Sequence, residues 1–209
     1  MIYAGIYIHI PFCQKKCGYC DFYSETDTTL YNDFIRALIR EIQLTGSNFR
    51  DFIFDTVYVG GGTPTILPIS GLKKIFRTLR NHFAIESTAE ITIEANPGTV
   101  NREILDELRE AGFNRLSMGV QSFDDNDLRF LGRIHTAAVA LESFNTARDA
   151  GFRNINIDLM TAFPGLNPRC FKKSLDQAVL LQSEHISCYT LIFEPGTPFY
   201  TKMRRGQLK

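Results

Sequence analysis

Three of the chain's five cysteines fall close together, as Cys13-x-x-x-Cys17-x-x-Cys20. Thiolates are soft ligands that suit iron–sulfur clusters and zinc alike. A structural zinc site is closed by four protein ligands, commonly in two pairs, and the remaining cysteines, Cys170 and Cys188, make no such pair. Three thiolates on a four-iron cubane leave one iron open to another molecule, and the spacing favours that reading over zinc or over cysteines without a metal. His9 lies nearby, but at the end of a strand it reads as held by packing or a hydrogen bond. Cys188 falls in an apolar stretch and is expected to behave as a small buried hydrophobe. Cys170 reads as structural too, though it lies near a helix start, a position that can lower a thiol's pKa. His82, His135 and His185 show no ligand spacing.

A second set of residues could hold an organic ligand. Gly60-Gly61-Gly62-Thr63-Pro64 reads as a glycine-rich turn after a strand. Glycines let backbone approach a ligand, and free amides bind carboxylate or phosphate. The turn lacks the Lys-Ser/Thr of a P-loop and the spacing of a dinucleotide-binding turn. Glu94, Gln121, Arg133 and Asp158 could cradle a ribose and an amino-acid moiety: carboxylates accept from hydroxyls or an α-ammonium, and arginine grips a carboxylate with two donors. Each taken singly also reads as an ordinary polar residue at a sheet rim. Asp158 is the sharpest, because it interrupts Ile155-Asn156-Ile157-Asp158-Leu159, and a carboxylate there needs a partner.

These residues need a frame, and the pattern supplies one. Six segments read as short strands: 4–10, 56–59, 90–95, 115–120, 154–160 and 186–193. They look near-continuously apolar, as in a parallel sheet covered by helices. Helices are expected over 28–44 (Leu30, Phe34, Leu38 and Ile42 inward), 70–83 (Leu72, Ile75, Phe76 and Leu79), 101–111, 136–150 and 167–182. Gly112 and Gly151 stand where C-terminal caps belong, and Pro168 suits a first turn. Ala111-Gly112-Phe113 and Ala150-Gly151-Phe152 form a weak repeat, each closing a helix and opening a strand that leads to Gln121 or Asp158. Repeated strand–helix units predict an α/β fold with a parallel sheet. Six strands rather than eight predict an incomplete, open (β/α)6 barrel resembling a partial TIM barrel. The polar motifs all fall just past strand ends, where such barrels carry their sites. No terminal element is evident after Pro195-Gly196-Thr197-Pro198.

The 209 residues suit one domain, which we expect to be the N-terminal part of a longer chain. With 23 basic and 23 acidic residues the net charge is zero, against a nucleic-acid binder. Lys202, Arg204 and Arg205 read as a solvated helix end. The N-terminus lacks the basic start of a signal peptide, and no apolar run reaches the roughly 18 residues of a membrane span. A cytoplasmic location is expected.

The cysteine motif, with Tyr19 before the third cysteine, resembles the cluster signature of the radical S-adenosylmethionine (SAM) superfamily. Tyr7-Ile8-His9-Ile10-Pro11-Phe12-Cys13, Gly60–Thr65, Ser117–Ser122 and Asn156–Leu159 resemble its coproporphyrinogen-oxidase-like branch, the HemN/HemW group, over residues 3–199. The resemblance implies a [4Fe–4S] cluster on Cys13, Cys17 and Cys20. It implies SAM contacts from Tyr7, Gly61, Gly62, Thr63, Glu94, Gln121, Arg133, Asp158 and, less closely matched, Thr190. The inherited chemistry is one-electron cleavage of SAM to methionine and a 5′-deoxyadenosyl radical, with an electron-donor protein as partner. In the oxidase type a further cysteine follows the third ligand by two residues; here that position is Phe22. This departure makes the chain look more like the HemW type, which implies haem or a porphyrin-type ligand in the full-length protein, transfer to an acceptor, and a regulatory or structural role for cluster and SAM. A radical oxidase of porphyrin biosynthesis is the alternative, and a zinc-stabilised α/β binding module the second.

Overall fold

The computed structural model describes residues 2–208; Met1 and Lys209, the ends of the expected domain, lie outside them. Six strands form one sheet in chain order: β1 (Ile2–Ile10), β2 (Phe52–Gly61), β3 (Ile85–Ala95), β4 (Arg115–Gln121), β5 (Ile155–Thr161) and β6 (His185–Thr190). Every neighbouring pair is parallel. The crossovers carry α1 (Tyr31–Thr45), α2 (Ile69–His82), α3 (Arg102–Ala111), α4 (Asp125–Leu131), α5 (Ala137–Asp149) and α6 (Pro168–Leu180), and α7 (Pro198–Arg204) follows β6. This is the open six-stranded barrel that the spacing predicts.

The strands are not uniformly apolar, as first expected, but alternate. In β3 to β5 one face carries Ile93, Ala95, Leu116, Met118, Ile155, Ile157 and Leu159, all buried in the main core. The other carries Thr92, Glu94, Ser117, Asn156 and Asp158. A parallel sheet covered on both faces would be apolar on both. Here helices cover one face and the other lines a cavity, so side chains sort with period two.

The helix expectations hold to within a few residues, with three corrections. A short helix that the pattern did not predict, α4, is capped by Asp124, whose side chain accepts from the Asn126 and Asp127 amides. The first helix opens as a 3-10 turn over Thr28–Leu30, which leaves Leu30 exposed and brings Ile35 inward beside Ile42. The stretch after Pro195 is not featureless: Thr197 caps α7 by accepting from the Tyr200 amide at 3.1 Å, and Pro198 takes the first turn. Lys202 and Arg204 do lie in its last turn.

The two-fold repeat is real in structure. Gly112 and Gly151 adopt left-handed φ of 103° and 88°, the conformation glycine adopts without steric cost. The Phe113 amide donates to Leu108 O and the Phe152 amide to Ala147 O, both at 3.1 Å. Arg109 and Arg148 each donate to the carbonyl of the phenylalanine four residues on, again at 3.1 Å. Both rings are fully buried.

Candidate functional site

The carboxyl ends of the strands open onto a cavity of about 430 Å³. Cys13, Cys17 and Cys20 lie along it, with Gly61, Gly62, Glu94, Gln121, Arg133, Asp158 and Thr190. Ten of the twelve expected site residues therefore meet in one place. Thr63 sits behind the wall, 2% exposed, with its hydroxyl 3.7 Å from Cys13 Sγ. Tyr7 is not among the lining residues: it is exposed on β1 and bonded to His9.

That bond explains His9. Its Nε2 faces Tyr23 O at 3.0 Å and its Nδ1 faces Tyr7 Oη at 3.0 Å. A carbonyl only accepts, so Nε2 carries the hydrogen and Nδ1 accepts from the tyrosine. Both nitrogens are used, as expected of a positioned rather than a ligating histidine.

The cysteine loop is held at both ends. The Cys13 amide donates to Glu25 O at 2.9 Å and the Cys20 amide to Cys17 O at 3.1 Å. Burial raises the Cys20 thiol above its ordinary pKa, a pull from the Phe22 amide opposes this, and the neighbouring Cys13 and Cys17 thiols add to it. Cys17 Sγ also receives Arg133 Nη1 at 3.6 Å.

The glycine turn works differently from the expectation. Its amides are not free: Gly61 donates to Glu94 Oε2 at 3.0 Å, Gly62 to Ile10 O at 2.8 Å and Thr63 to Phe12 O at 2.7 Å. The glycines are there for close approach. A Cβ on Gly61, whose φ is 113°, would come within 2.7 Å of the His9 ring, and one on Gly62 would run into the Phe12 backbone.

Glu94 also accepts from Tyr58 Oη at 2.6 Å. Burial raises its pKa, while the bonds from Tyr58 and Gly61 oppose the rise. Asp158 has the partners its position demands: Asn156 Nδ2 donates to it at 2.8 Å and Ser117 Oγ at 3.4 Å. Burial raises its pKa as well, opposed by hydrogen bonds from Asn156, Ser187 and Ser117. Parallel register places Glu94 opposite Ser117 and Ser117 opposite Asn156, so the row is set by strand pairing.

At the end of β4 the ladder is irregular between Met118 and Gln121, and Gln121 takes a left-handed φ of 69°. Such a bulge re-aims a side chain, and Gln121 Oε1 ends buried without a partner. A Cβ on Gly119 would come within 2.8 Å of Asn96 Oδ1.

Tyr19, Asn96, Met160 and Leu191 also line the cavity, although the sequence assigns none of the four a ligand role. Asn96 is legible in the sequence as a polar residue closing β3, but nothing local ties it to the cysteines. Two expectations are corrected. Cys188 is exposed, because β6 pairs on one side only and little covers its face. The Cys170 thiol is raised, not lowered: burial and the carboxylates of Asp124 and Asp127 outweigh the helix start.

The Radical SAM superfamily profile matches residues 7–178. The chain belongs to that superfamily. It is similar to heme chaperone HemW of Bacillus subtilis, 40% identical over 97% of this chain and 54% of the relative. It is also similar to heme chaperone HemW of Escherichia coli, 36% identical over 93% of this chain and 52% of the relative. The solved structure of the Escherichia coli coproporphyrinogen III oxidase HemN, described as a radical SAM enzyme, superposes with a TM-score of 0.87. There the identity is 31%, over the whole of this chain and 47% of that one. An archaeal Elp3 at 16% identity and a TM-score of 0.66 shares the fold. The chain spans about half the length of the curated relatives it matches.

Membership implies a [4Fe–4S] cluster and SAM, and the residues fit both. Cys13, Cys17 and Cys20 all line the cavity, and a cubane takes each thiolate on a separate iron. The unpartnered Gln121 Oε1 and the paired carboxylates face a volume that can hold a polar ligand. Among the described residues no helix is long and apolar enough to cross a membrane.

Proposed function

We propose that this chain is the cluster- and SAM-binding domain of a HemW-type haem chaperone, the N-terminal part of a longer protein. The observation that carries the reading is the meeting of three thiols with Glu94, Gln121, Arg133 and Asp158 around one cavity. Cys13, Cys17 and Cys20 would ligate the cluster. Arg133 would neutralise the SAM carboxylate. Glu94 and Asp158 would accept from its ammonium and ribose hydroxyls, and Gln121 would offer its free oxygen. Gly61 and Gly62 give the room, Thr63 braces the wall from behind, Tyr7 holds His9 against Gly61, and Thr190 closes the rim. In the oxidase reading a bound, reduced cluster would supply one electron for cleavage of the SAM sulfonium; in the chaperone reading cluster and SAM would serve a regulatory or structural role.

Haem as ligand, an acceptor protein and an electron donor come with the HemW reading, which the curated relatives support. The oxidase reading is favoured by the HemN superposition, while Phe22 in place of a further cysteine opposes it.

Anaerobic reconstitution with iron and sulfide tests the site. The expected result is about four irons per chain, lost on Cys17→Ala, and SAM binding weakened at least about tenfold by Glu94→Ala. Zinc in place of iron would refute the cluster. In the full-length protein, haem uptake without 5′-deoxyadenosine release supports the chaperone; porphyrinogen-dependent release of 5′-deoxyadenosine supports the oxidase instead.

A further inference from the structure

We infer that Asn96 is a positioning residue that aims one hydrogen-bond donor at each of two cysteine sulfurs, Cys13 and Cys17. The inference rests on the reading that these cysteines ligate the cluster. Asn96 stands just past the end of β3. Its Oδ1 accepts from Arg133 Nη2, and its Nδ2 donates to Thr63 Oγ1 at 2.7 Å.

The direction of this chain follows from donor chemistry. A guanidinium has no acceptor, so the carboxamide turns its oxygen to Arg133 and its NH2 to Thr63. The Thr63 hydroxyl then accepts from Asn96, which leaves its single hydrogen for Cys13 Sγ at 3.7 Å. On the other side Nη2 is fixed by Asn96 and by Gly119 O at 2.8 Å. The planar fork then presents Nη1 to Cys17 Sγ at 3.6 Å. Four separate segments meet here: the loops after β1 and β2, the end of β3, and the residue after Gly132 that closes α4.

Neither aspartate nor glutamine replaces asparagine at this position. Aspartate lacks the donor for Thr63, and glutamine adds a methylene where Gly119 already sits against Asn96 Oδ1. Hydrogen bonds to ligand sulfurs stabilise the more negative, reduced cluster and so raise its potential. The residue would thereby set how readily the cluster takes its electron, without touching the cluster.

The test compares the reconstituted chain with Asn96→Leu, Thr63→Val and Thr63→Ser, by iron content, melting of the apoprotein and an EPR-monitored redox titration. Asn96→Leu and Thr63→Val are expected to keep the parent's iron and shift the cluster midpoint to more negative potential. Thr63→Ser, which retains the hydroxyl, should stay at the parent value. Midpoints unchanged at full iron would overturn the inference. So would iron lost together with the apoprotein's melting transition, which marks a structural role only. A parent chain that takes up no cluster would overturn the underlying site reading itself, a distinct result.

Discussion

At the scale of single residues, chemistry is fixed by what each side chain cannot leave unpaired. His135 is 6% exposed, and its Nε2 donates to Val120 O at 3.1 Å. Burial, helped by Arg133, lowers its pKa from 6.5 to about 4, against pulls from the Val120 carbonyl and Asp125. The native chain therefore binds fewer protons than the unfolded chain between these values. Its contribution to stability is full above pH 6.5 and is lost as the pH falls toward 4. At about 1.4 kcal/mol per pH unit the loss reaches roughly 3 kcal/mol. Urea unfolding of the parent against pH should show this acid limb. His135→Gln, which keeps a donor near Val120 O and cannot titrate, should flatten it; equal slopes would show another group is responsible. Glu94 and Asp158 act in the opposite sense. Their raised pKa values give stability that is present at acid pH and lost as the pH climbs through those raised values, so replacing either by its amide should stabilise the apoprotein at neutral pH.

At the scale of elements, caps and returns recur with the same atoms. Asn101 accepts from the Ile104 amide at 2.9 Å to start α3, and Gly112 ends it. Asn101→Ala should cost about 1 kcal/mol. Gly112→Ala should cost at least as much, because alanine is strained at φ 103° and its Cβ would lie 2.7 Å from Arg80 Nη2. Thermal melts of the two variants check this, and a Gly112→Ala protein as stable as the parent would refute the strain. The Ala-Gly-Phe repeat was legible as sequence because a left-handed C-cap needs glycine. The arginine four residues before each phenylalanine was not, since its bond to the carbonyl exists only once the helix has turned into the strand.

At the scale of the whole molecule, α7 returns to the cysteine loop. The Phe199 amide donates to Gly18 O at 2.9 Å, and its ring lies 6.2 Å from Tyr19 and 5.3 Å from Phe130. With Leu131, Met160, Phe163 and Leu191 it makes a second small core, which braces the loop from behind. Gly18 has no room for a side chain against the Phe199 ring. Phe199→Ala should cost about 3–5 kcal/mol within this core and loosen the cysteine loop. Hydrogen exchange at Cys17–Cys20 should rise while the amides of β3 and β4 stay protected; unchanged exchange at the loop would show that α7 does not support it.

The sequence by itself determined the three-thiol motif, the strand count, five of the seven helices, the open parallel sheet and the placement of polar residues at strand ends. These are local properties: spacing, turn chemistry and period. Tertiary structure decided the rest. It put the amides of Gly61, Gly62 and Thr63 onto acceptors of this chain, exposed Cys188 on the last strand, and set α7 against a loop far away in the chain. It also joined Asn96 to two cysteines through Thr63 and Arg133. Each of these depends on which distant segments come within hydrogen-bond reach, and that is a consequence of strand register and helix packing rather than of any local pattern.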